Sequence, residues 1–357
     1  MSKYIYLAIL SLSIFFSQTV SSQAGYGVYK FMDLPVSSRM AALGGSNVSL
    51  KDNDLNFSFR NPSLLTNETH NTLGLNYSNY LSNIKFGSAV YSRSIDSTSR
   101  IAIGIQYIDY GRFKETSSTD LDLGTFTAKD YAIHLIYSKQ LNSKISIGGT
   151  IKPIYSALEK YTSIGIALDG GISYHNPSKL FSAGLTIQNI GTQLKGYYEE
   201  LNGQHYEPLP LNIEAGISKK FAHAPIRLSF TLHNLQSFNL DYQSKNQNNS
   251  NIKNINSQST NPEVDNIQQV GFVDMAFRHS ILGIELLPGK NFYIAGSYNH
   301  RRRQEMSVNG YKSLAGYSLG AGIKLFKFQV GFAWSQFQPG INSYQFSITT
   351  ALNEFRL

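Results

Sequence analysis

Cysteine is absent from all 357 residues, so no disulfide framework stabilises the chain and no thiol is available as a nucleophile. Tryptophan occurs once. Beyond the first stretch there is no apolar run long enough to cross a bilayer as a helix, and the chain is 41% hydrophobic with a mean hydropathy of −0.21. A helical membrane protein is therefore excluded. His-Glu-x-x-His and clustered Cys/His spacings are also missing, which removes the common zinc motifs. Gly44-Gly45-Ser46-Asn47-Val48 has no glycine two residues after its serine, as a nucleophile elbow would. Gly320-Ala321-Gly322 sits inside an alternating strand pattern, where close packing rather than phosphate binding is the expected role. These absences argue for a non-enzymatic chain, with no cofactor and no metal site expected.

The first residues read as an export signal. Lys3 supplies a positive start, Ile5 to Phe16 is an apolar core of signal-peptide length, and Val20-Ser21-Ser22 offers small residues before a cut at Gln23. That core is short for a membrane span, and no stop-transfer pattern follows it. Residues 1–22 are thus assigned to the signal, and the formal charge of +8 falls to +7 when Lys3 leaves. A pI near 9.3 permits anionic partners such as lipopolysaccharide, but the positive charges are dispersed. No pattern for nucleic acid is read.

What the chain has in abundance is Gly 29, Tyr 23 and Phe 21, arranged with a period of two. Ile101, Ile103, Ile105 and Tyr107 alternate with Ala102, Gly104 and Gln106, and the same period recurs at Tyr131–Tyr137, Ile164–Tyr174, Ile226–Leu232, Tyr317–Ile323 and Tyr344–Leu352. Phe326, Phe328, Val330, Phe332 and Trp334 share one face near the C-terminus. Weaker segments around Leu73, Phe86, Ile147, Leu185, Ile213, Phe277 and Ile294 bring the total to about fourteen strands, an even number that returns both ends of a wall to one side. The predicted fold is all-β, a transmembrane antiparallel β-barrel in residues 73–357.

Connection lengths set the orientation. Leu141-Asn142-Ser143, His175 to Ser178, Ala222 to Pro225, Pro288-Gly289-Lys290 and the join near Leu325 are short and suit periplasmic turns. Gly111 to Ala128, Asn189 to Leu209, Asn234 to Val270 and Arg301 to Ser313 are long and suit the outside. Within the third of these, residues 243–269 are dominated by Asn, Ser and Gln and read as a solvated low-complexity loop.

Residues 23–72 behave differently. Ser37-Ser38-Arg39-Met40-Ala41-Ala42-Leu43 followed by Gly44-Gly45 predicts a serine-capped helix with a glycine stop, and Asn61-Pro62-Ser63 predicts a turn. A compact segment ahead of the first strand is a natural hatch, or plug, for a barrel wide enough to enclose a lumen.

The run Phe31 to Gly45, with Asn61-Pro62-Ser63-Leu64-Leu65, resembles the PorV/PorQ family within the long-chain fatty-acid transporter superfamily. The PorQ side of that family is nearer, on Gln106 to Phe113, Lys152-Pro153-Ile154-Tyr155-Ser156, Gln188 to Lys195 and Tyr298 to Met306. The resemblance implies a fourteen-stranded outer-membrane barrel with an N-terminal hatch, whose motif falls here on Arg39, Gly44, Gly45, Asn61 and Pro62. It further implies a component of the type IX secretion system of Bacteroidetes. The partners would be a PorZ-like surface protein, a PorU-like sortase and a PorV-like barrel, in a complex that attaches cargo to lipopolysaccharide. The wider superfamily implies an alternative, an outer-membrane channel for hydrophobic compounds. One departure is the end Phe355-Arg356-Leu357, where such barrels commonly finish on an aromatic residue.

Two sets of polar residues remain. Arg301-Arg302-Arg303, the densest charge cluster, is expected at the outer mouth, as a contact for a partner or for lipopolysaccharide. His134, Asp169 and Glu214 fall on the polar faces of strands and are expected to line the lumen, as solvated residues or as a group that meets there.

Overall fold

The computed structural model describes residues 27–81, 83–119, 122–200, 203–240, 271–289, 291–306, 313–338 and 340–355. The expected signal peptide and the 243–269 loop lie outside them. Fourteen antiparallel strands form one closed barrel. They are β1 (Thr72–Leu81), β2 (Ile84–Ser94), β3 (Ser99–Thr116), β4 (Asp122–Gln140), β5 (Ile145–Leu158), β6 (Tyr161–Asn176), β7 (Phe181–Lys195), β10 (Asn212–Lys220), β11 (Ile226–Leu232), β12 (Ser280–Leu286), β13 (Phe292–Asn299), β14 (Tyr317–Leu325), β15 (Phe328–Gln338) and β16 (Ile341–Ala351). A two-rung hairpin, β8 (Glu199–Glu200) with β9 (Gly203–Gln204), stands apart in the loop between β7 and β10. Neighbours in sequence pair around the wall, and β1 closes it on β16 with Leu75 opposite Ile348, so the sheet has no free edge.

Why the wall forms is visible on β3. Ile101, Ile103 and Ile105 face outward and stay exposed, with Tyr107 half-buried on the same face, while Ala102, Gln106 and Ile108 are buried inside. The exposed rows of the other strands repeat this, as a lipid-facing band requires. Registered outward aromatics ring its upper margin: Tyr107 against Tyr131 with centroids 4.9 Å apart, Tyr131 against Tyr155 at 6.4 Å, and Tyr298 against Tyr317 at 5.1 Å. Such a girdle marks a lipid–water boundary. The wall is uneven, since β3 and β4 run 18 and 19 residues while β11 and β12 run 7 each.

Three sequence readings are corrected. Phe277 belongs to a helix, Phe272–Arg278, and the strand begins only at Ser280; Asp274 and Arg278 pair at 2.9 Å one turn apart, a helical spacing that the strand reading missed. Phe326 is not on the wall but in the turn between β14 and β15, with φ of 51° and 96% exposure. The expected Gly111–Ala128 loop is mostly hairpin, because a bulge after Asp109, with Gly111 at φ 87°, lets β3 and β4 resume pairing from Arg112 opposite Thr127.

The hatch fills the lumen. A single turn at Lys30–Asp33 leads to the helix Ser38–Ala42, whose first turn is capped by Ser37 Oγ accepting from the Met40 amide at 3.3 Å. Gly44 and Gly45, at φ +91° and +102°, stop it, with the Gly45 amide donating to the Met40 carbonyl at 3.0 Å. Short 3-10 turns follow at Leu55–Phe59 and Pro62–Leu64. Met40, Leu43, Leu50, Leu55, Phe57 and Leu65 are all at most 2% exposed, so the hydrophobic core of this barrel is largely the hatch itself.

Candidate functional site

The hatch is fastened to the wall by buried charge. Arg39, on the helix Ser38–Ala42, donates to Asp52 at 2.7 Å, to Glu285 at 2.9 Å and to Asp54 at 3.5 Å. Arg227 on β11 closes the group, reaching Glu285 at 2.7 Å and Asp52 at 3.1 Å. The Arg39 guanidinium also lies over two rings, 5.4 Å from the centre of Phe57 and 5.2 Å from that of Tyr293. Two cations and three carboxylates thus link hatch, β11 and β12. Burial by itself would raise the Asp52 carboxyl, but Arg39 and Arg227 hold it well below the ordinary carboxylate range. For Asp54 burial dominates over Arg39, and its carboxyl is raised.

The other motif residues anchor the lower hatch. Asn61 caps the Pro62–Leu64 turn, its Oδ1 accepting from the Ser63 amide at 3.1 Å while Nδ2 donates to the Val48 carbonyl at 2.8 Å. Pro62 packs on Gly148 of β5, where a Cβ would meet the Pro62 Cβ at 2.9 Å. Arg60 donates to Gln188 Oε1 at 3.2 Å and to the Asp33 carbonyl.

His134, Asp169 and Glu214 do point into the lumen, but each has its own partners: Gln106 at 2.7 Å for His134, Lys152 at 2.6 Å for Asp169, and Asn212 at 2.7 Å for Glu214. Arg301, Arg302 and Arg303 occupy a short helix, His300–Glu305, at the end of the barrel that carries the long connections, and diverge. Arg301 pairs with Glu305 at 2.6 Å, Arg303 donates to the Ser313 carbonyl, and Arg302 turns inward over Phe337.

Sequence reading named Arg39 but did not bring it together with Asp52, Asp54, Arg227 and Glu285. A signal existed for the last two: each is a charge on the strand face otherwise given to Ser229 and Gly283. On the outside, β10 to β15 form an apolar furrow of about 880 Å³, lined among others by Leu282, Ile284, Gly296, Tyr317, Leu319 and Trp334.

No family model and no curated protein matches this chain. Solved structures do. The Ralstonia pickettii toluene transporter TbuX is similar at 10% identity and a TM-score of 0.50, covering 89% of this chain and 97% of its own. The Pseudomonas putida toluene transporter TodX is similar at 10% identity and a TM-score of 0.50, over 92% and 98%. A deltaS2 mutant of TodX, a monoaromatic hydrocarbon channel, gives 10% identity and a TM-score of 0.51, over 89% and 97%. At that identity the likeness is one of fold: this chain, with its closed wall and aromatic girdle, has a β-barrel fold like that of these outer-membrane transporters.

Proposed function

We propose that the chain is a PorQ-type barrel: a non-enzymatic outer-membrane scaffold that anchors a surface attachment complex of type IX secretion. Its direct partner would be a PorZ-like surface protein, with a PorU-like sortase and a PorV-like barrel in the same assembly. The observation that carries this reading is the fastened hatch. Arg39 is 6% exposed and held by three carboxylates, and breaking such a buried pair costs several kcal/mol. A hydrophobic-compound route needs a mainly apolar pocket leading past the plug; the inner wall here instead presents Gln106, Asp130, His134, Lys152, Asp169, Gln188, Glu214 and Glu285. A stationary, polar-lined plug suits an anchor.

The second reading is a channel for hydrophobic compounds. The fold likeness to toluene transporters and the apolar furrow on β10 to β15 favour it. Affinity isolation of the tagged barrel in mild detergent, with mass spectrometry of what co-purifies, separates the two. A sortase-containing or PorZ-like surface assembly is the expected result. Recovery of the barrel alone, with apolar compounds bound inside it, would overturn the scaffold.

A further inference from the structure

Above the helix stop at Gly44-Gly45, the inner wall carries polar groups that the hatch fastening does not use. Ser297, Ser318 and Ser335 stand opposite one another in register on β13, β14 and β15. Each Oγ is buried and has no hydrogen-bond partner. Paired residues in such a row lie roughly 4.5–5.5 Å apart, so the three hydroxyls make one strip. Phe337, two residues beyond Ser335 on the same face, has the Arg302 guanidinium 4.2 Å above its ring centre. The Nη1 of Arg302 is likewise buried and unpartnered. The hatch turn forms the opposite side: a Cβ on Gly45 would lie 3.2 Å from Arg302 Nη2, and one on Gly44 would lie 3.3 Å from Ser297 Oγ. The charged and titratable groups around Arg302 are Glu305, Arg301, His233 and the Tyr80 phenol, and Glu305 is already bonded to Arg301 at 2.6 Å.

A guanidinium only donates, so neighbouring hydroxyls cannot neutralise it, and a buried charge without a partner is costly. An oxyanion accepts from a guanidinium and from hydroxyls alike, and one set beside Arg302 takes the hydroxyl nearest it while the rest of the strip lines its approach. We propose that Arg302, Ser297, Ser318 and Ser335, backed by the Gly44-Gly45 turn, form a binding site for an oxyanion, a phosphate or carboxylate group entering from the outer mouth. The site is independent of the attachment-complex reading.

The test uses the purified full-length barrel in a zwitterionic detergent, titrated calorimetrically with inorganic phosphate and, separately, with dodecyl phosphate, and followed by thermal unfolding with and without each. Wild type is expected to bind and to unfold at a higher temperature with the anion present. Arg302→Gln should weaken binding about tenfold or more, the range for hydrogen bonds to a charged group, and should lose the anion-dependent shift. Ser318→Ala with Ser335→Ala keeps the charge and should weaken binding as well, so a poorly folding arginine variant does not decide the matter. Binding of both probes identifies a free oxyanion as sufficient; binding of dodecyl phosphate alone, lost in Arg302→Gln, identifies the headgroup of an amphiphile. No binding of either probe, or equal binding by wild type and Arg302→Gln, overturns the site.

Discussion

Glu285→Gln removes the one wall carboxylate that serves both arginines of the hatch fastening. Glu285 is 1% exposed and touches Arg39 at 2.9 Å and Arg227 at 2.7 Å. Removing one partner of a buried pair costs about 3–5 kcal/mol. Both arginines keep Asp52, at 2.7 and 3.1 Å, which favours the lower end. About 3 kcal/mol is roughly a 150-fold change in the equilibrium for releasing the hatch, at about 1.4 kcal/mol per tenfold. Hydrogen exchange reads this directly, because the Ala41 and Leu43 amides are held only by carbonyls of their own helix, at 2.9 and 3.1 Å, and exchange when the hatch loosens. The control is Asp122→Asn, which breaks the exposed pair with Lys114, whose side chains are 66% and 60% exposed, and should leave exchange unchanged because such pairs contribute little. Acceleration in Glu285→Gln by less than about fivefold, under ~1 kcal/mol, would refute the view that buried charge fastens the hatch.

Three further outcomes are expected. Gly184→Ala would place a Cβ 1.9 Å from the Val48 carbonyl oxygen, a backbone atom that cannot step aside, so the lower hatch should loosen by about 1–3 kcal/mol in the same exchange experiment. Lys51 is pushed down to about 8 by its burial and by the Arg100 guanidinium. An unfolded lysine titrates near 10.4, so the unfolded chain binds more protons between these values and barrel stability should rise as pH increases from about 8 to 10; Lys51→Met should abolish that rise in a pH series of unfolding midpoints. Trp334, the sole tryptophan, faces outward beside Leu319 and Tyr344 at the level of the aromatic girdle. Lipids brominated near the headgroup should quench its fluorescence more than lipids brominated near the chain ends, and the opposite order would displace the girdle from the boundary.

The wall was legible because lipid on one side and a packed lumen on the other impose a strict period of two, and β3, with Ile101 to Tyr107 outside, obeys it without interruption. Legibility failed where that constraint ends. Above the girdle nothing forces alternation, so Phe272–Arg278 forms a helix where the pattern suggests a strand, and β3 and β4 continue through a bulge where it suggests a loop. The hatch helix was legible from its serine cap and glycine stop, both local signals. Its fastening was not, since Arg39 meets Glu285 across 246 residues of sequence and only closure of the barrel brings them together. The arginine run shows the same limit: three adjacent identical charges on one short helix point to Glu305, to Phe337 and to the Ser313 carbonyl.

The N-terminal segment lies inside the closed wall, and the absence of cysteine from the chain allows a clean test of that placement. Ser49 of the hatch and Ser218 of β10 have their Oγ atoms 2.6 Å apart, within reach of a disulfide after substitution. In outer membranes from cells making Ser49→Cys/Ser218→Cys, mild oxidation should cross-link nearly every chain, so that peptides carrying residues 49 and 218 stay joined after proteolysis until reduced. Free thiols at both positions in a folded barrel would contradict it.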